Sequence, residues 1–249
     1  MSRQPLLDNL TKLHLSTFRN ALEEQLSNPQ YEELPFEDRL SLLVDRECQQ
    51  RDHNRIQRLV KQARFQQSAF VEDIDFSAER GLQRAQVLQL AQDTWIKKAL
   101  NLIVIGPTGA GKSFIACALG RSTCQQNLSV RYFRMPRFFQ SLKLAKLDAS
   151  YPRLLKSLTK TDLLIFDDWM RDPISLTDTQ DLLDILDDRY NRSSTMLVSQ
   201  LPVMDWHLRF PDPTLADAIL DRLIHNSYRI ELEGESQRKV RAVAHISST

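Results

Sequence analysis

The segment Gly106-Pro107-Thr108-Gly109-Ala110-Gly111-Lys112-Ser113 carries the clearest chemical signal in this 249-residue chain. It follows the apolar run NLIVI and opens a second apolar run, FIACALG, the strand-to-helix setting that a phosphate-binding loop requires. Glycines in such a loop let backbone N–H groups turn inward around phosphate oxygens, and the helix N-terminus adds its positive dipole. Lys112 supplies a mobile point charge for the β- and γ-phosphates, and Ser113 a hydroxyl for Mg²⁺.

A carboxylate must stand beside that magnesium ion. The buried-strand pattern DLLIFDD ends in Asp167 and Asp168. Asp167 is positioned to hold Mg²⁺ through water, and Asp168 to orient an attacking water, which points to hydrolysis rather than transfer onto a small molecule. The strand pattern TMLVSQ ends in Ser199 and Gln200. If the strands are neighbours, these two fall between the acidic pair and the γ-phosphate, to sense phosphate or hold the water; ordinary strand-end capping is the other reading. Arg222 lies in the helical stretch ILDRLIHN, either as an arginine finger reaching a neighbouring subunit's γ-phosphate or in a local salt bridge to Asp221 or another acid.

Nucleic-acid contact has two candidate sources. Arg51, Arg55 and Arg58 share one face of a long helical pattern, a row that would track a phosphate backbone or simply form the solvated face. In YFRMPRFF, Arg134 and Arg137, with Arg131 just before, alternate with aromatics; this suits a backbone-contacting or stacking surface, or else core phenylalanines beside solvent-facing arginines. No zinc-finger spacing or helix-turn-helix pattern points to base-specific reading.

The elements that must place these groups follow from pattern. Residues 1–66 read as an all-helical module, with a break at Asn28-Pro29 and Pro35 opening a longer helix. Residues 67–80 lack a period and read as a linker or strap, and 81–249 as the main α/β domain of buried, mainly parallel strands. The composition, 42% hydrophobic and 26% charged, excludes collagen-like, low-complexity and wholly disordered chains. Thirty-three Lys and Arg against 32 Asp and Glu give no bulk argument for a polyanion partner. Charge is uneven locally: 120–160 carries nine Lys or Arg against Asp148, whereas 161–190 carries nine Asp against Arg171 and Arg189. These stretches either fold against each other or face different partners. Cys48, Cys117 and Cys124 form no metal or redox motif, and neither a signal peptide nor an 18-residue apolar run is present; a cytoplasmic protein with no membrane partner is expected.

Taken in order, FEDRLSLLVDRE, RGLQRAQVLQLAQDTWI, NLIVIGPTGAGKS, DLLIFDDW, SQLPVMDWH, AILDRLIHNSYRIEL and GESQRK resemble the IstB-like ATP-binding proteins, helper ATPases encoded beside the transposase in one class of bacterial insertion sequences. More distantly they resemble the DnaC-type helicase loaders. The resemblance covers almost the whole chain and implies an AAA+ P-loop ATPase core behind an N-terminal helical module, using ATP and Mg²⁺. It places Lys112 and Ser113 on Walker A, Asp167 and Asp168 on Walker B, Ser199 and Gln200 on the sensor 1 strand end, and Arg222 on the arginine-finger position. It further implies ATP-dependent, head-to-tail self-association on duplex DNA, largely without sequence preference, and recruitment or stimulation of a cognate transposase. A replicative helicase loader, a non-catalytic ATP-switched DNA scaffold and a small-molecule kinase are the competing functions. Two departures stand out: Met170 occupies a position where glycine is expected, and the 17 residues after Leu232 are too few for the usual C-terminal helical lid, leaving Arg238 as a weak candidate for a second sensor arginine.

Overall fold

The computed structural model describes residues 3–77, 80–92 and 94–234. The expectations for the C-terminal tail and for Arg238 therefore lie outside the described residues. The chain divides into two compact units, Met1–Arg58 and Leu59–Thr249.

The first unit is helical. Helices α1 (Gln4–Lys12) and α2 (Ser16–Ser27) precede α3 (Phe36–Ala63), which runs on into the second unit. Pro29 opens a short 3-10 turn after α2, and Pro35 stands one residue ahead of α3, where its missing N–H and fixed φ suit a helix start. The apolar interior is thin, with Leu10, Ala21 and Leu43 buried, and polar ties supplement it. Buried Glu47 accepts the Phe18 backbone N–H at 2.9 Å and Arg51 Nε at 2.6 Å, so one carboxylate caps the start of α2 and anchors a neighbouring guanidinium.

The second unit is built on a five-stranded sheet. Its strands are β1 (Asn101–Ile105), β2 (Val130–Arg134), β3 (Leu163–Asp167), β4 (Ser194–Ser199) and β5 (Ser227–Glu231); β1, β3 and β4 fall within a residue of the runs NLIVI, DLLIFDD and TMLVSQ. They lie in the order β2-β3-β4-β1-β5, and every pairing is parallel. Alternation sends Leu102, Val104, Leu163, Ile165, Met196 and Val198 to one face and Ile103, Leu164, Phe166 and Leu197 to the other. The first face packs on α4 (Arg84–Ala91), α5 (Thr94–Lys97) and α6 (Lys112–Gln125); the second packs on α7 (Met135–Leu147), α8 (Tyr151–Thr159), α9 (Leu176–Arg189) and α10 (Pro213–Ile224). Both faces are covered, which is why the strands read as unbroken apolar runs. The expected fold class, a helical module ahead of a mainly parallel AAA+-like α/β core, is the one observed.

Residues 64–77 cross the α6 face, where Ala69 and Ile74 are buried. The basic and acidic stretches fold against each other in part. Lys143 and Lys146 on α7 pair with Asp178 and Asp181 on α9 at 3.2 and 2.6 Å. The phenylalanines of YFRMPRFF belong to the core: Phe138 and Phe139 are buried, and Phe138 packs edge-on against Phe133 and Phe166. No stacking platform for bases arises there. Among the described residues no helix is long and apolar enough to cross a membrane.

Candidate active site

Because every strand is parallel, the carboxyl ends of β1 to β5 share one edge, and there a cleft of about 320 Å³ opens, lined by Thr108, Lys112, Ser113, Asp167, Asp168 and Gln200 among others. The phosphate loop links β1 to α6. Gly111 sits at φ +91, in the left-handed region, and a Cβ on it would stand 2.8 Å from the Arg80 guanidinium. Gly106 allows a closer approach: a Cβ there would lie 2.6 Å from the Leu232 carbonyl oxygen. Lys112 Nζ donates to the carbonyls of Gly106 and Pro107 at 2.7 and 2.8 Å. Burial pushes its ammonium below the ordinary lysine value, while the charges of Asp167 and Asp168 pull it back up.

Asp167 is the last residue of β3, and alternation turns it to the face of α6, whose first turn carries Lys112 and Ser113. It is 4% exposed. Its Oδ1 accepts the Asp168 backbone N–H at 2.8 Å, and its Oδ2 accepts the Tyr132 hydroxyl. Burial, and then the neighbouring Asp167 charge, raise the Tyr132 phenol far above its ordinary range, so it is a fixed donor. Asp168 leaves the strand at φ 56, and Arg134 Nε and Arg171 Nη1 donate to its Oδ2 at 2.7 and 3.5 Å. Met170 follows at φ 52 with its side chain buried. The position that would suit glycine is thus a left-handed one, and methionine holds it by packing its side chain into the core.

β4 lies between β1 and β3, the condition on which the reading of Ser199 and Gln200 depended. The two residues differ. Ser199 is fully buried, donating to the Trp169 carbonyl at 2.9 Å and accepting the Leu201 N–H at 3.1 Å, so its hydroxyl is engaged in the turn. Gln200 faces the cleft, and Thr108 of the phosphate loop donates to its Oε1 at 2.7 Å.

Residues 8–244 match the family model described as IstB-like ATP binding protein. A putative insertion sequence ATP-binding protein of Sinorhizobium fredii is 44% identical over 239 residues, covering 96% of this chain and 98% of the relative. The chain belongs to the IstB-like ATP-binding family. Another relative, the IS1162 putative ATP-binding protein of Pseudomonas fluorescens, is 43% identical over 203 residues, covering 81% of this chain and 88% of its own. The fold is shared more widely: the crystal structure of the DnaC helicase loader superposes with a TM-score of 0.58 at 15% identity, over 66% of this chain and 97% of that one.

In this IstB-like chain the remaining expected residues are dispersed. Arg222 is on α10 near the amino edge of the sheet, where Asn101 Nδ2 donates to its carbonyl at 3.0 Å. Its guanidinium pairs with Asp187 of α9 and donates to Ala218 O at 2.6 Å, so the acid it meets is Asp187 and not Asp221. Arg51 is tied to Glu47 and donates to the His14 carbonyl at 3.1 Å, while Arg55 and Arg58 are exposed. Arg131 is half-buried over the Phe133 ring at 5.6 Å, and burial together with the nearby Arg64 charge lowers its pKa. Arg134, grouped by sequence with the nucleic-acid candidates, is drawn into the cleft by Asp168, and Arg137 is exposed on the first turn of α7.

Three residues of the cleft escaped sequence reasoning. Arg80, 5% exposed, donates to Ala110 O at 2.7 Å and to Asp75 O, joining the preceding segment to the phosphate loop. Tyr132 reaches Asp167 only through folding, whereas Arg171 meets sequence-local acids, Asp168 three residues before it and Asp172 one after. The RGLQR segment is among the family-like stretches, but nothing in its spacing tells that Arg80 lies on the loop.

The donor set fits Mg²⁺. The Ser113 hydroxyl and the Asp167 carboxylate are hard oxygen donors facing one cleft, and a magnesium ion takes few protein ligands, completing its shell with phosphate oxygens and water. Among the described residues no group of three or more His, Cys, Asp or Glu is placed to hold a metal ion.

Proposed function

We propose that this protein is an ATP-hydrolysing, DNA-binding assembly factor of transposition that binds duplex DNA largely without sequence preference and recruits or stimulates a transposase. The observation that carries the reading is the convergence of Lys112, Ser113, Asp167, Asp168 and Gln200 on one cleft in a chain of the IstB-like family. The relatives named as insertion sequence ATP-binding proteins support the transposition context.

In this mechanism the loop N–H groups and Lys112 bind the phosphate chain, Lys112 exchanging its two loop carbonyls for phosphate oxygens. Ser113 and Asp167 would hold Mg²⁺, which when bound would supply neutralisation of charge on the phosphates. Asp168 accepts a hydrogen bond from the attacking water, and Gln200 holds the γ-phosphate side of the cleft. Arg222 lies near the opposite edge from its own cleft, so as an arginine finger it acts on a neighbouring protomer, exchanging Asp187 for phosphate. A site completed in this way requires a heterologous, head-to-tail contact. DNA phosphates are contacted by arginines not already committed to acids, with Arg58 and Arg137 ahead of Arg51 and Arg134.

The test is ATP hydrolysis by the purified chain without DNA, with single strands and with long duplex. Duplex-favoured, salt-sensitive stimulation is expected, and Asp168→Asn should lower hydrolysis by about 100-fold with nucleotide binding retained. Preference for single strands would replace the transposition reading with that of a helicase loader. Hydrolysis untouched by Asp168→Asn would remove Asp168 from its role.

A further inference from the structure

The Asp167 carboxylate is held on both sides by groups outside the phosphate loop. The Asp168 N–H donates to Oδ1 at 2.8 Å, and the Tyr132 hydroxyl donates to Oδ2. Two donors on different oxygens fix the rotation of the carboxylate plane. Tyr132 is in turn gripped by the chain leaving α3. Gln66 Oε1 lies 2.8 Å from the phenol oxygen, placed to accept its proton, and the Phe65 ring stands edge-on to the tyrosine ring with centroids 6.4 Å apart. α3 ends at Ala63, and Arg64 at φ 57 turns the chain into this position. Gly120 on α6 makes the room: a Cβ there would stand 2.6 Å from Phe65 Cε1 and 2.9 Å from Ile165 Cδ1. Phe65 and Gln66 therefore sit between the helix that begins with Lys112 and the strand that carries Tyr132.

We propose that Tyr132 is a positioning residue for Asp167, and that Phe65 and Gln66 make Mg²⁺ use at the site depend on the conformation of the chain leaving α3. The inference rests on the nucleotide-site reading above and adds regulation to it. A ligating carboxylate is oriented by its own hydrogen-bond partners, and losing one weakens metal binding by about 10-fold or more. One phenol proton cannot serve both Asp167 and Gln66 Oε1, so with that proton on Asp167 we assign the Gln66 amide its flipped orientation, with NH₂ in place of Oε1 at the phenol oxygen. A donor at the phenol oxygen polarises the O–H and strengthens its bond to Asp167. Withdrawal of Gln66 weakens that bond, and withdrawal of Phe65 frees the ring. α3 thus ends three residues before Gln66, which reaches the metal-binding carboxylate only through Tyr132.

The experiment uses the full-length chain as wild type, Tyr132→Phe and Gln66→Ala. Binding of a fluorescent ATP analogue is titrated with Mg²⁺ and repeated in EDTA, and melting is recorded for each protein. Tyr132→Phe should raise the Mg²⁺ concentration at half-maximal effect by about 10-fold, with binding in EDTA unchanged. Gln66→Ala should move it the same way by less. An unchanged Mg²⁺ midpoint in Tyr132→Phe overturns the proposal, as does weakening that is equal with and without Mg²⁺, because that is general damage to the site. Should Tyr132→Phe fail to fold, Gln66→Ala decides alone: a raised midpoint supports the proposal and an unchanged one overturns it. Lys112→Ala separates the two levels. If it binds nucleotide as the wild type does, or if the wild type shows no Mg²⁺ dependence, the nucleotide-site reading falls and takes this proposal with it.

Discussion

At the carboxyl edge of the sheet, charged groups meet across an open cleft and hold one another through contacts that a phosphate can exchange: Lys112 on two loop carbonyls, Arg134 and Arg171 on Asp168. At the amino edge the Arg222–Asp187 pair stays partly exposed, but Arg189 and Asn101 are enclosed. Arg189, the last residue of α9, is 1% exposed and donates to the carbonyls of Leu158, Thr161 and Ser194, the Thr161 contact at 2.7 Å. Burial lowers its pKa to about 10, with the Asp162 charge pulling the other way. Asn101 opens β1 and ties it to the end of α10 and the start of β4. One edge exposes charge for exchange, while the other spends it on backbone that nothing else can satisfy. The same residue types therefore carry opposite meanings for stability, decided by whether water or a ligand can replace their partners.

The largest expected effect of breaking this contrast is at Arg189. Arg189→Met removes the donors of three buried carbonyls, and the second unit should lose about 3 kcal/mol or more, about 10 °C in melting midpoint. Trp95, Trp169 and Trp206 are all buried in that unit, so tryptophan fluorescence during urea or thermal unfolding reads it directly. A change of less than about 0.5 kcal/mol would mean that water reaches these carbonyls and that the amino edge is not closed.

The middle effect belongs to Asn101. Its Nδ2 donates to Arg222 O and Leu223 O at 3.0 and 3.3 Å, and its Oδ1 accepts the Thr195 N–H at 2.9 Å. Asn101→Leu keeps similar bulk and removes every one of these bonds, for a loss of about 1–2 kcal/mol on the same fluorescence assay. A loss as large as that of Arg189→Met would show that the neutral amide, and not the buried guanidinium, is the main tie at this edge.

The carboxyl edge was legible in the sequence to the extent that its chemistry is local. The phosphate loop announces itself because glycines, lysine and serine must be adjacent in sequence to wrap one phosphate, and Asp167 because a strand end lies one residue from its apolar run. Gln200 needed one further condition, the adjacency of β4, and the fold supplied it. Tyr132 and Arg80 are illegible because their partners are brought close only by parallel pairing and by the segment laid across α6, whereas Arg171, at i+3 from Asp168 and next to Asp172, had local partners in the sequence. Arg134 was grouped with nucleic-acid candidates because a basic residue among aromatics looks like a surface, yet its strand register sets it beside Asp167 and its side chain reaches Asp168. The amino edge left no trace at all: a buried arginine that caps carbonyls has no spacing signature, and Arg189 reads simply as one more charge in an acidic helix.

The smallest expected effect has the opposite sign. Lys112 is 7% exposed, and burial holds its folded-state pKa below the ordinary lysine value of 10.5 despite Asp167 and Asp168. For a cation the sign follows directly. The charged form is disfavoured by folding, so the penalty is full at neutral pH and fades as the pH rises toward the unfolded value, where neither state keeps the proton. Lys112→Met should therefore be no less stable than the wild type at pH 7 when nucleotide is left out, with any advantage shrinking in alkaline buffer, and it should lose nucleotide binding altogether. The carbonyls of Gly106 and Pro107 do not oppose this, because Gly106 is only half-buried and Pro107 exposed, and water takes the place of the ammonium. A clear destabilisation of Lys112→Met at pH 7 would place Lys112 with Arg189 as a structural cation and dissolve the distinction between the two edges.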